Sequence, residues 1–323
     1  MIRVAVVGVG EFGRNHVRVW REVEGAELVG VADANRARAE KIAAEFGTKV
    51  IPDADALAAE RVDAVSLAVP TSEHSRVGCR LLMAGHDVLV EKPMAASLAE
   101  ADSLITSAKR AGRILQVGHV ERFNPAVRAA EKIVSRPMFF EVHRLGVFTP
   151  RSLDIDVVYD VMIHDLDIVL SLVAAPVLDL KAVGIPVMTG KVDIAHARVE
   201  FSNGTVANLT ASRVSTERVR KMRFFQEHEY VSVDFARQDV LRVRVLPSSP
   251  QPAIDFEKLA VTPEEPLRAE LRGFLECVRT RQVPLVDGAS GRRALDLADR
   301  VVAGILEHAQ RVQLGAFTPQ EAR

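Results

Sequence analysis

The stretch that most constrains the fold lies near the start of the chain. Gly8-Val9-Gly10-Glu11-Phe12-Gly13 follows an apolar run at residues 4–7 and opens a helical pattern. The G-x-G-x-x-G spacing alone is weak. Set between a buried strand and a helix, it predicts a dinucleotide-binding turn. The first glycine permits the tight turn, the second lets a pyrophosphate approach the backbone, and the third allows helix and strand to pack closely. The helix N-terminus adds backbone donors and partial positive charge. Asp33 ends the next apolar run, and a carboxylate there accepts both hydroxyls of an adenosine ribose while repelling a 2′-phosphate. Asp is also a good helix cap, and Arg36 nearby could accommodate a phosphate. The expected cofactor is NAD in preference to NADP.

The surrounding pattern agrees with this turn. Short runs of Val, Leu, Ile and Ala at 4–7, 28–31, 64–69, 88–90 and 114–117 are apolar on both faces, as strands of a helix-covered parallel sheet should be. Helical stretches at 35–46 and 75–84 each end at a glycine, Gly47 and Gly85. The expectation is an α/β protein whose first 120 residues form a doubly wound Rossmann domain.

Beyond residue 120 the pattern changes. Pro125 suits a first helical turn, a strand is expected at 139–147, and a helix at 157–173. Strand-like runs then follow without helices between them, at 178–187, 194–201, 205–212, 222–226, 230–235 and 240–245. Asn203-Gly204 is a strong hairpin signal. Residues 121–323 are therefore expected to form an α/β domain with an open, largely antiparallel sheet. Helices at 267–279 and 290–309 close it. Pro247, Pro250, Pro252, Pro263 and Pro266 mark an irregular stretch before them.

Bulk composition narrows the function. The 323 residues carry 48% hydrophobic and 26% charged side chains, ordinary for a globular chain. A formal net charge of -1 gives no general field toward nucleic acid or an anionic membrane. Cys79 and Cys277 form no disulfide framework, no leader pattern opens the chain, and no run is long enough to span a membrane. A cytoplasmic protein is expected, with no nucleic-acid or membrane partner.

Two further motifs carry chemistry. Glu91-Lys92-Pro93 follows the run at 88–90, so Lys92 is expected beyond the carboxyl end of a strand, where open α/β sheets bind ligands. A lysine there can be a general acid or base, or an ordinary surface residue. Asp160 and His164 are four apart in Tyr159-Asp160-Val161-Met162-Ile163-His164-Asp165, hence neighbours on one helix face. His164 can take a hydroxyl proton as hydride leaves carbon, with Asp160 orienting it. Hydride transfer needs no metal, and none is expected. Arg122 and Asn124 offer donors for sugar hydroxyls or a diphosphate, or serve the domain junction. Arg144 and Arg213 are further substrate candidates.

The glycine loop, Ala68-Val69-Pro70-Thr71 with His74, Glu91-Lys92-Pro93 and Asp160…His164 together resemble the Gfo/Idh/MocA oxidoreductases over nearly the whole chain. The resemblance implies Lys92, Asp160 and His164 as the catalytic set, with Val69, Pro70, Thr71, His74 and Glu91 near the cofactor. It also implies a homodimer or homotetramer. The run 117–127, with Glu-Arg-Phe-Asn-Pro inside it, is similar to the subgroup that oxidises the 3-hydroxyl of UDP-N-acetylglucosamine, ahead of an aminotransferase on the route to lipid A. A sugar or nucleotide sugar is thus the expected substrate. The alternatives are an inositol or free-sugar dehydrogenase, an imine or enamine reductase and, in another class, a catalytically silent NAD-binding sensor.

Overall fold

The computed structural model describes residues 1–149, 155–246 and 253–313. Pro247, Pro250 and Pro252 lie outside the described residues; Pro263 and Pro266 lie within them. The chain divides into two compact units, Met1–Phe123 with Glu264–Leu295, and Asn124–Pro263 with the chain from Asp296 onward.

The first unit alternates strands and helices: β1 (Ile2–Val7), α1 (Glu11–Trp20), β2 (Ala26–Ala32), α2 (Arg36–Phe46), β3 (Lys49–Val50), β4 (Ala64–Leu67), α3 (Thr71–Met83), β5 (Asp87–Glu91), α4 (Leu98–Ala111) and β6 (Leu115–Gly118). The six strands pair in parallel in the order β3-β2-β1-β4-β5-β6. This is the expected doubly wound sheet, and its order reverses beside β1, where such sheets bind ligands. Local chemistry sets the helix ends. The Asn35 side chain caps α2 by accepting the Arg38 amide at 3.0 Å, and Gly47 ends it at φ 61°, a conformation open to glycine without strain. Pro70 occupies the N-cap of α3, so the helix starts before the expected residue 75 and β4 stops before 69. β3, two residues long, and α4, capped by Ser97 and Gly112, extend the expected set.

One helix reaches this unit from far along the chain. α7 (Pro266–Thr280) places Leu271, Phe274, Leu275 and Val278 in the same core as Val4, Val17 and Trp20. Trp20 and Phe274 stack obliquely at 6.4 Å between centroids, and Trp20 Nε1 donates to Ser66 Oγ at 2.8 Å. Burying each large apolar side chain here stabilises the unit by roughly 1.5–3 kcal/mol.

The second unit contains α5 (Pro125–Glu131), β7 (Phe139–Leu145), a π-helical turn (Val158–Met162), α6 (Ile163–Leu172), β8 (Val177–Ile185), β9 (Ile194–Phe201), β10 (Val206–Ser212), β11 (Val219–Gln226), β12 (Glu229–Asp234), β13 (Asp239–Leu246) and β14 (Ala253–Lys258). The last helix, α8 (Gly288–Arg311), runs from the first unit's residues into the second's. The eight strands lie in the order β14-β13-β12-β11-β7-β10-β9-β8. All pairs are antiparallel except β7 with β10, so the sheet is largely antiparallel as expected. The hairpin falls at Asn203-Gly204, where Gly204 takes φ 87° and Asn203 Oδ1 accepts the Thr205 amide at 3.1 Å. Alternation buries Phe140 and Val142 of β7 and Met222 and Phe224 of β11 on one face. The Phe140 and Phe224 rings lie 5.6 Å apart.

Candidate cofactor-binding and catalytic residues

The glycine turn can be tested residue by residue for the space a dinucleotide needs. A Cβ on Gly8 would lie 2.6 Å from the Ala68 carbonyl, and one on Gly13 would lie 1.8 Å from the Gly8 oxygen. These two glycines are required by contact of chain with chain. A Cβ on Gly10 would meet nothing within 4 Å, so the absent side chain leaves an open approach to the backbone at the start of α1. That is the cradle a pyrophosphate requires, and the residues fit the cofactor. Glu11 and Phe12 are exposed beside it.

Asp33, just past the end of β2, is held firmly. Its Oδ2 accepts from the Val9 amide at 2.8 Å and its Oδ1 from the Asn35 amide at 2.7 Å. Burial raises its pKa, but the Arg38 guanidinium and these two amides outweigh burial and hold the carboxyl below its ordinary value. The arginine at this carboxylate is Arg38, at 3.0 and 2.9 Å. Arg36, the expected phosphate neighbour, turns to Glu40 at 2.9 Å and is 87% exposed.

The Glu91-Lys92-Pro93 segment leaves the end of β5 over a buried support. Glu91 Oε1 lies 2.9 Å from His16 Nε2, and Glu91 Oε2 accepts the Lys92 amide at 3.1 Å. Burial favours the neutral acid, yet the His16 hydrogen bond, with the charges of His16 and Lys92, keeps the Glu91 carboxyl below the usual range. The Lys92–Pro93 peptide is cis, and Lys92 is half-buried. His74 is a strut inside the unit. Its Nδ1 lies 2.9 Å from the Pro93 carbonyl oxygen and its Nε2 2.9 Å from the Val69 carbonyl oxygen. It thereby links the lysine loop to the loop that carries Val69, exposed Pro70 and half-buried Thr71. Burial pushes the His74 pKa down, against the Pro93 and Val69 carbonyls and the charge of Glu91, which favour the protonated ring.

In the second unit, Asp160 sits in the π-helical turn and His164 in the first turn of α6, both half-buried. Single π turns recur at functional sites. The Ile163 amide donates to the Val158 carbonyl, and Tyr159 anchors the turn through its hydroxyl, which donates to Asp299 Oδ1 at 2.8 Å. Asp165 and Asp167, next in sequence, are buried.

The other substrate candidates meet different environments. Arg144 donates through Nε and Nη2 to both oxygens of Asp165, at 2.9 and 2.6 Å, and lies 4.9 Å from the centroid of the Phe235 ring. Arg213 donates to Asp193 at 2.8 Å and to the Ile155 carbonyl at 2.7 Å. Both guanidiniums hold buried carboxylates; a buried charged fork needs such a partner. Asn124 caps α5 at the Ala126 amide and donates to the Phe235 carbonyl at 3.0 Å. Arg122 is buried in the short 3-10 turn Val120–Phe123 of the first unit. Sequence reading missed His16, Arg38 and Glu270. Glu270 of α7 is fully buried with neither carboxyl oxygen hydrogen-bonded, and burial, joined by the charge of Glu91, pushes its pKa well above the ordinary value. No local pattern marks these three, since each acts on a residue from another element or turn.

Known proteins match this chain along both units. The description "Oxidoreductase family, NAD-binding Rossmann fold" matches residues 2–119, and the "GFO/IDH/MocA C-terminal domain" matches residues 135–230. The UDP-N-acetylglucosamine 3-dehydrogenase of Acidithiobacillus ferrooxidans is 40% identical over 96% of this chain and 99% of its own. A solved structure of that enzyme superposes with a TM-score of 0.88, at 39% identity, covering 94% of this chain and 97% of the other. The scyllo-inositol 2-dehydrogenase (NAD(+)) of Bacillus subtilis is 30% identical over 88% of each chain.

Proposed function

This chain belongs to the Gfo/Idh/MocA oxidoreductases, and from that premise we propose that it oxidises the 3-hydroxyl of UDP-N-acetylglucosamine with NAD. The observation that carries the reading is the 40% identity, over 96% of the chain, to an enzyme of that name. Lys92, Asp160 and His164 all stand in this sequence.

The glycine turn, with Asp33, binds the dinucleotide, alongside Val69, Pro70, Thr71 and Glu91. When bound, NAD supplies a hydride acceptor. His164 takes the hydroxyl proton as the carbon–hydrogen bond gives up its hydride, and Asp160 stabilises the charge His164 gains. Lys92 donates a hydrogen bond to the developing alkoxide, a positive group aimed at charge that grows in the transition state. Arg122, Asn124, Arg144 and Arg213 are the further donors for the sugar or diphosphate.

The product, a 3-keto sugar nucleotide, suits an aminotransferase next, on the lipid A branch. A cytoplasmic homodimer or homotetramer completes the proposal. No helix among the described residues is long and apolar enough to cross a membrane.

The test is an incubation of the purified protein with NAD and UDP-N-acetylglucosamine, read by NADH absorbance and sugar-nucleotide mass together. A loss of about two daltons with matching NADH is expected. Turnover of scyllo- or myo-inositol alone would favour the second reading, which the Bacillus subtilis relative supports.

A further inference from the structure

Asp33 accepts four hydrogen bonds, two on each oxygen. Oδ2 takes the Val9 amide at 2.8 Å and Arg38 Nε at 3.0 Å; Oδ1 takes the Asn35 amide at 2.7 Å and Arg38 Nη2 at 2.9 Å. A carboxylate offers about four lone-pair sites, so all are taken. The two amides belong to the glycine turn and to the start of the next helix, and they fix the carboxylate without help. The remaining two donors come from one guanidinium, as a parallel fork. The adenosine ribose presents the same pattern, two O–H donors side by side, and needs the same two sites. Asp33's side chain is 5% exposed and Arg38's 49%. The buried partner is therefore the fixed one, and the arginine is the one able to leave toward solvent.

We infer that Arg38 is a specificity-determining latch: it occupies on Asp33 the two positions that the ribose of NAD takes, and it yields them to the diol. Once released, its guanidinium stays tethered in the first turn of α2, at the ribose edge, where a 2′-phosphate would meet it. Among the described residues Asp33 is the only acidic partner within salt-bridge distance of Arg38, so no second carboxylate competes for the freed cation. The same side chain thus lowers affinity for NAD and raises it for NADP. An ordinary half-exposed ion pair would do neither.

The inference rests on the NAD reading above, and calorimetric titration of the purified protein with NAD and with NADP separates the two. Arg38→Gln is expected to bind NAD about two- to fivefold more tightly, the range a half-exposed ion pair can oppose. Its NADP affinity falls, so the NAD-to-NADP preference rises about tenfold, as loss of one charge-assisted contact predicts. Arg38→Lys, a point charge without the fork, is expected to fall between wild type and Arg38→Gln. Equal or weaker NAD binding by Arg38→Gln, with the melting temperature unchanged, overturns the latch and leaves Arg38 a support for Asp33. If wild type binds neither dinucleotide and Asp33→Asn changes nothing, the cofactor reading itself fails.

Discussion

The buried carboxyl of Glu270 lies within electrostatic reach of the ionised carboxylate of Glu91, and only Glu91 has hydrogen-bond donors to hold it. Burial and the charge of Glu91 push the Glu270 pKa well above its ordinary value, so this core favours one negative charge over two. A raised acid pKa gives stability that is full below the unfolded value, about 4.3, and is lost as pH rises through the folded value. Glu270→Gln mimics the protonated acid. It should leave stability unchanged near pH 4 and raise it by about 1–3 kcal/mol at alkaline pH, as read by urea unfolding at both pH values. A variant less stable at high pH would show that the charged form is the one the core prefers.

Lys92→Ala should lower turnover of the sugar nucleotide by on the order of 10²-fold or more, the usual size of a general acid–base or oxyanion contribution. His164→Ala should do the same. NAD affinity, measured separately by calorimetry, should change little for His164→Ala, which lies in the second unit. Normal turnover by Lys92→Ala would remove it from the reaction.

The glycines of the turn should separate in their behaviour. Gly10→Ala meets open space, so the protein should fold with an unaltered melting temperature while NAD affinity falls about tenfold or more, as loss of the close backbone approach implies. Gly13→Ala drives a methyl to 1.8 Å from the Gly8 oxygen and should reduce both folding and binding. Equal NAD binding by Gly10→Ala and wild type would place the pyrophosphate elsewhere.

Asp193 accepts the amides of Val187, Met188 and Thr189 together with Arg213, at 2.6–2.8 Å. Burial raises its pKa, and these donors overcome burial and depress it strongly. Arg213→Ala leaves the buried carboxylate short of its counter-charge and should cost about 3–5 kcal/mol in urea unfolding. The depressed pKa gives stability that is present above the unfolded value, about 3.9, and is lost as pH falls through the folded one. Asp193→Ala should therefore unfold less steeply in acid than wild type.

Much of this could be read along the chain. The glycine turn, the Asn203-Gly204 hairpin and the alternation of both-face apolar runs with helices all depend on a few adjacent residues. Their physics is short-range steric and hydrogen-bonding chemistry that any tertiary context must respect. Asp160 and His164 stand four apart in the sequence, and a π turn carries the first of them while α6 carries the second. Asp33 was legible as a carboxylate at the end of the second strand, but not which arginine would hold it. Arg36 is nearer in sequence, yet the helical rotation sends it to Glu40 and brings Arg38 to the carboxylate.

What only the tertiary structure decided involves residues far apart in the chain. Phe274 packing on Trp20, the charge of Glu91 acting on Glu270, and the pairing of Arg144 with Asp165 and of Arg213 with Asp193 all join separate elements. The parallel pairing of β7 with β10 is of the same kind. A buried charge must find its opposite or lose its charge, and a sheet must choose its neighbours. Neither choice leaves a mark in local sequence, because the partner is brought near only when the chain has folded.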